Sequence, residues 1–149
     1  MKKIVGYVIF IALVIGGLNS IRNTKGCVDL YVDYGSLNNN KTVLECIDVV
    51  GKTTALELLK SSGYKVEGTE KYGDAVVCRL NGLPNKSQES CKLMPPEEAF
   101  WAVIIKKKSS VPLFTNEWGW AQKGINELQV SNGDSLGIVF SVNGELQWP

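Results

Sequence analysis

Residue types suited to acid–base chemistry are sparse in this chain of 149 residues, which contains no histidine. Ser-His-Asp and Cys-His mechanisms, and metal sites built on imidazole, are therefore excluded. The adjacent carboxylates Glu97 and Glu98 would point to opposite faces of a strand, so they cannot form a facing acid pair. These observations predict a non-enzymatic protein with neither catalytic residues nor a metal site.

A phosphate-binding loop is the next candidate, because residues 51–54 read Gly-Lys-Thr-Thr. A Walker motif needs a glycine five positions before Gly51, and Cys46 stands there. We interpret the segment as a turn and a helix cap.

The charge of the chain does not predict binding to nucleic acid. Its formal net charge is only +1, whereas nucleic-acid-binding domains usually carry a strongly basic surface. We interpret the lysine run 106–108 as a solvated strand end.

Tryptophans are the strongest candidates for binding. Trp118 and Trp120 are two residues apart, which places both side chains on one side of an extended segment. Large aromatic surfaces stack on planar ligands and sugars, and they form hot spots in protein interfaces. We predict that Trp118 and Trp120 bind a small planar ligand, framed by Trp101 and Phe100. Packing in the core or at its rim is the alternative for all four side chains.

Four cysteines, an even number, predict disulfide bonds if the domain is exported. They could pair in three ways, and none forms the close Cys-x-x-Cys spacing of a zinc ribbon or redox dithiol. We predict local pairing, Cys27 with Cys46 and Cys78 with Cys91, because each bridge would join neighbouring elements. Cys46 with Cys78 is the main alternative.

The elements that must position these residues begin with a hairpin. Residues 27–34 alternate apolar with other side chains, and residues 42–50 form a second β-branched run. With Cys27 placed opposite Cys46, residues 35–38 become a four-residue loop. Thr53 or Thr54 can then cap a helix that ends at Gly63.

The remaining chain predicts further strands over residues 64–66, 75–80, 99–105 and 136–142. Residues 27–149 therefore form one α+β domain, with a single helix packed across one mixed sheet as in the β-grasp plan. One helix cannot cover both faces of that sheet. The other face must meet solvent or a partner.

The first 26 residues predict where the protein works. Lys2 and Lys3 precede an uncharged apolar run, residues 4–18, and a polar stretch follows. This is the pattern of a secretory signal peptide or of an N-terminal membrane anchor, between which the sequence does not decide. We expect a domain outside the cytoplasm, secreted or anchored, on a bacterial cell surface.

Several segments together resemble a known family. Residues 54–64 (TALELLKSSGY), 77–84 (VCRLNGLP), 99–101 (AFW) and 133–138 (GDSLGI) follow one another as in the transcobalamin-like C-terminal domain. The resemblance extends in order from about Val28 to Val142.

The resemblance implies a β-grasp module of exported bacterial proteins that binds without catalysis. Its implied ligand is cobalamin or another corrinoid, a planar ring that would suit the tryptophans. A structural or protein-interaction domain of the cell envelope is the alternative function.

Overall fold

The computed structural model describes residues 26–108, 117–146 and 148–149. Strands dominate this part of the chain, and one α-helix accompanies them. In chain order the elements are β1 (Gly26–Asp33), β2 (Thr42–Val49), β3 (Lys52–Thr54), α1 (Ala55–Ser61), β4 (Val66–Glu67), β5 (Arg79–Leu80), β6 (Ala99–Lys106), β7 (Gly119–Trp120), β8 (Gln129–Ser131) and β9 (Ser135–Val142). The α+β class predicted from the sequence is confirmed.

A five-stranded mixed sheet in the order β2-β1-β9-β6-β7 organises the domain. The central strands β1 and β9 are parallel, whereas β1–β2, β6–β9 and β6–β7 are antiparallel. Two small antiparallel pairs, β3 with β8 and β4 with β5, complete the strands. Because two parallel strands cannot be joined by a tight hairpin turn, β1 and β9 are connected by a long crossover, and that crossover contains α1.

The opening hairpin has a register that differs from the prediction by two residues. Cys27 lies opposite Asp48, and Cys46 lies opposite Asp29, so the two cysteines are diagonal neighbours. The predicted loop, Gly35–Asn38, is a turn of 3₁₀ helix inside a longer connection. Because β2 is apolar at successive positions, its hydrophobic pattern could not fix the register.

Helix α1 begins as the sequence predicts. The Thr54 hydroxyl accepts from the Glu57 backbone N–H, and the Glu57 carboxylate accepts from the Thr54 N–H, which together form a capping box. Three α1 side chains are buried against the inner face of the sheet: Ala55, Leu58 and Leu59. The helix therefore covers one face of the sheet with an apolar stripe.

Both disulfides have the predicted pairing. Cys27–Cys46 joins β1 to β2 across a Cα–Cα distance of 5.4 Å, and Cys78–Cys91 closes a loop across 5.7 Å. The second bridge is buried, and the loop it closes ends before β6. The two bridges thus constrain different parts of the chain.

Two predicted strands are shorter than expected. The strand predicted over 64–66 is Val66–Glu67, and the strand predicted over 75–80 is only Arg79–Leu80. These two segments pair only with each other, so tertiary context limits their length.

The leader predicted over residues 1–26 lies outside the described residues, apart from Gly26, which starts β1. Within the described ranges, the helix is neither long enough nor apolar enough to cross a membrane.

Candidate functional site

The two faces of the sheet carry different side chains because alternate residues of each strand point in opposite directions. On β1, Val28, Leu30 and Val32 belong to the buried cluster that α1 covers. Asp29 and Tyr31, between them, point to the other side. We call that side the open face.

Trp101 belongs to the covered face. Its side chain is 4% exposed and lies edge-on to Tyr34 and Phe140, with ring centroids 5.5 and 5.3 Å away. The indole N–H donates a 3.0 Å hydrogen bond to the Leu83 carbonyl. Trp101 therefore packs in the core, on the opposite side of the sheet from its neighbour Phe100.

The open face carries two groups of aromatic contacts, which together we call the aromatic face. It consists of Tyr31, Phe100, Trp118, Trp120 and Trp148. Phe100 and Trp120 are stacked at 6.4 Å, and Trp148 stands edge-on to Trp120 at 6.2 Å. Tyr31 lies 6.5 Å from Trp118. Three of the four predicted binding residues thus lie on one face.

Trp118 is partly a structural residue. A methyl group at Gly137 would collide with the Ile104 side chain and lie 3.3 Å from Cζ3 of Trp118. Ile104 points to the open face and is nevertheless fully buried. We infer that the Trp118 indole lies across Gly137 and shields Ile104 from water.

Trp120 and Trp148 remain accessible, with 46% and 45% of their surface exposed. A cavity of about 570 Å³, which we call the face cavity, lies between Tyr31, Trp118 and Trp148. Asp29 and Ser135 also line it, so its aromatic walls are accompanied by a few polar groups. This volume and mixture are typical of small-molecule sites.

The Tyr31 hydroxyl lies beside this cavity, and its single hydrogen is directed to Asp33. Burial and the negative charge of Asp33 raise the pKa of Tyr31, although a hydrogen bond with Thr42 opposes them. The hydroxyl lies 3.4 Å from Oδ2 of Asp33, to which it donates. Tyr31 therefore stays protonated at neutral pH.

Among the described residues, Cys27, Asp29 and Cys46 form a cluster of metal-ligand types. Both sulfur atoms are joined in the disulfide, so they do not supply the thiolates that bind metal. The chemistry of this donor set does not suit a metal ion.

A second cavity, of about 490 Å³, lies at the edge of the sheet beyond the end of β7. We call it the edge groove. Segments 100–103 and 120–124 line it, and so do residues 75–77. Because the Trp101 indole is buried in the core, mainly the backbone of Trp101 is available to an occupant.

Tyr31 and Trp148 are the aromatic residues that sequence reasoning missed. Tyr31 could have been found, because it alternates with the apolar residues of β1 and so must point away from the core. Trp148 lies after the last strand, and no periodicity there indicates its packing on Trp120.

No protein-family model and no curated protein matches this chain.

Proposed function

We propose that the protein is a non-enzymatic binding module that works outside the cytoplasm and holds a small planar ligand against its aromatic face. The observation that carries this proposal is the face cavity, a concavity walled by Tyr31, Trp118 and Trp148 on the side that α1 does not cover. Stacking on these rings would supply affinity, and the Asp29 and Ser135 side chains would supply polar contacts.

The fold supports a finer proposal, that the domain is a β-grasp module like the transcobalamin-like domain its sequence resembles. A hairpin, a helix and a returning strand parallel to β1 occur in this order, with α1 on one face. A corrinoid or another planar macrocycle is then the ligand class to test first. The two disulfides are compatible with the proposed location outside the cytoplasm.

Isothermal titration calorimetry with cyanocobalamin, protoporphyrin IX and a soluble cell-wall glycan tests the proposal. We expect one of the planar rings to bind. Trp148→Ala should weaken that binding by about tenfold or more, since stacked aromatic rings contribute strongly to binding. Trp148 suits this test better than Trp118 because it is more exposed, whereas Trp118 lies over Gly137 and Ile104.

Tyr72→Ala is the matched control, because Tyr72 is an exposed aromatic residue that lines neither cavity. It should bind the ring as the wild type does. Absence of heat with both rings, or equal weakening by Tyr72→Ala and Trp148→Ala, would contradict the proposal.

A protein-interaction domain of the envelope is the second candidate. The observation that favours it is the edge groove, which runs along a part of β6 that no other strand of the described chain covers.

A further inference from the structure

The outer edge of β6 is only partly paired. β6 pairs with β9 along all eight of its residues, but with β7 only at Ile104 and Ile105. One further bond, from the Ala121 N–H to the Val103 carbonyl, extends this pairing. Beyond it, no strand in the described part of the chain lies against the outer edge of β6.

Two hydrogen bonds reveal which backbone groups of β6 point outward. The Glu98 carbonyl accepts from Asn143 N–H at 2.7 Å, on the β9 side, whereas the Val103 carbonyl accepts from Ala121 on the β7 side. Backbone groups of successive strand residues alternate in direction. Trp101 N–H, Trp101 C=O and Val103 N–H therefore face the edge groove.

These groups have no backbone partner among the described loops and turns. Ala99 shares their direction, and its N–H is satisfied by the Pro96 carbonyl. The groove thus presents a carbonyl at Ala99, then an N–H and a carbonyl at Trp101, then an N–H at Val103. The main chain of another extended segment presents donors and acceptors at the same spacing, so it can form hydrogen bonds with these groups.

The other edge of the sheet, formed by β2, differs from the β6 edge because charged side chains protect it. β2 carries the charged residues Glu45 and Asp48, and charges on an edge strand oppose pairing with another chain. In β6, residues 99–103 contain no charge and no proline. Natural proteins rarely leave such an edge unprotected without a use for it.

We infer that the edge groove binds an extended peptide segment of a partner protein, which adds to the sheet as a strand antiparallel to β6. The segment would continue the line of β7, starting where the chain leaves the edge after Ala121. A second copy of this domain fits less well, because residues 75–77 also line the groove, and the edge of a folded sheet would have to pass between them and β6. This inference rests on the second candidate function and does not require the face cavity, although Phe100 and Trp120 of the aromatic face also line the groove.

Charge at the two ends of the groove specifies the partner further. Lys123 lines the end near Val103, and Glu97 lines the end near Ala99. Both side chains are exposed, and neither takes part in the ion pairs of the described residues. An antiparallel peptide would have its N-terminal end at Lys123 and its C-terminal end at Glu97. The partner segment is therefore acidic first, then uncharged with small apolar side chains, then basic.

The test uses the full chain with both disulfides formed and a synthetic peptide, acetylated and amidated, of sequence Asp-Val-Ala-Val-Ala-Lys. Amide hydrogen exchange is followed by NMR at Trp101 and Val103. We expect exchange at both amides to slow by about tenfold or more at saturating peptide, because both N–H groups acquire acceptors. The charge-reversed peptide, Lys-Val-Ala-Val-Ala-Asp, should bind more weakly.

A peptide N-methylated at alternate residues provides the decisive control, because it keeps the side chains but loses main-chain donors. It should not bind. Equal binding of the methylated peptide, or unchanged exchange at Trp101 and Val103 at millimolar peptide, would overturn the inference.

A pair of variants locates the site independently. Val76→Arg places a long charged side chain in the groove and should abolish binding, whereas Leu44→Arg, at an exposed position on β2, should not. Loss of peptide binding in Leu44→Arg alone would also overturn the inference. Trp148→Ala should leave peptide binding unchanged, which separates this site from the planar-ligand site.

Discussion

The covered and open faces of the sheet are made from alternate residues of the same strands, but they are protected from water in different ways. The covered face is mostly aliphatic, and α1 packs on it with Leu58 and Leu59. The open face has no such helix in the described chain, and Trp118 shields its central residue, Ile104. The single helix covers only one face, so aromatic side chains from the strands and from the segments beside them cover the other.

This difference separates structural from available aromatic residues. Trp101 satisfies its indole N–H inside the core, whereas nearly half of the surface of Trp120 and Trp148 is in contact with water. Exposed large aromatic side chains that contact one another form a patch of the kind found at ligand or partner sites. Position on the sheet, rather than residue type, decides which tryptophans can bind.

Replacing one tryptophan on each face by alanine tests this comparison, and we expect it to have the largest effect on stability. Trp101→Ala should lower the free energy of unfolding by about 3–5 kcal/mol, because it leaves a cavity and an unpaired Leu83 carbonyl. Trp120→Ala should lower it by less, about 1 kcal/mol, because the side chain is 46% exposed. Urea unfolding measures both, and equal losses would contradict the distinction between the faces.

The two disulfides sharpen the comparison, because one is buried and the other joins two strands at the open face. Replacing both cysteines of a bridge by alanine should cost about 2–5 kcal/mol in either case. Loss of Cys78–Cys91 should cost more, since both residues are buried and their removal also leaves a cavity. Cys46 is exposed, so loss of Cys27–Cys46 mainly increases the entropy of the unfolded chain.

Urea unfolding of the two double variants under the same buffer conditions compares these costs directly. A greater loss from the Cys27–Cys46 pair would show that the hairpin depends on its bridge more than on its hydrogen bonds.

Asp134 fixes the turn before β9, and it gives stability a pH dependence. Burial raises the pKa of Asp134, but hydrogen bonds from Lys108 N–H, Lys107 Nζ and Ser131 N–H, with the positive charge of Lys107, outweigh it and lower the pKa. The carboxylate therefore adds stability above the ordinary aspartate pKa. That stability is lost as the pH falls through the lower, folded value.

Asp134→Asn should cost about 1.5–3 kcal/mol at pH 7, because charge-assisted hydrogen bonds are lost. The difference from the wild type should shrink as the pH is lowered below about 4, where the unfolded carboxyl becomes protonated. Urea unfolding across this pH range measures it. Asp48→Asn is the matched control, since Asp48 is exposed and has no hydrogen-bonding side-chain partner in the described chain. A constant difference at every pH would refute the role given to Asp134.

Elements were predicted correctly where the local sequence pattern and the tertiary packing favour the same structure. The long strands β1, β6 and β9 were predicted from their periodicity, and the helix cap was placed at Thr53 or Thr54, of which the structure has Thr54. Both disulfides were predicted because each bridge joins elements that are neighbours along the chain. The hairpin register was wrong, because the pattern of β2 is compatible with more than one alignment.

The candidate site was only partly readable from the sequence. Phe100 and Trp101 were grouped as neighbours, although consecutive strand residues point to opposite faces. Which of them faces the core depends on where α1 packs, and that is a tertiary property. Trp148 joins the aromatic face through contacts between distant parts of the chain, which no local pattern encodes.

Gly137 provides the finest test of how the open face is built. It lies on β9, beneath Trp118 and beside Ile104. Gly137→Ala would force the Ile104 side chain to move and would press on the Trp118 ring, and overpacking of this kind costs about 1–3 kcal/mol. Displacement of Trp118 should also change its fluorescence and open the shielded Ile104 to water. If the planar ligand binds as proposed, its affinity should fall with the movement of the Trp118 ring.

Gly119→Ala is the matched control, because the new methyl group would meet no atom within 4 Å of its position among the described residues. Urea unfolding and the tryptophan emission spectrum should both remain close to the wild type in that variant. Unchanged stability and emission in Gly137→Ala would mean that Trp118 does not lie on the sheet as a cover. The open face would then depend on other residues, and the structural role assigned to Trp118 would have to be abandoned.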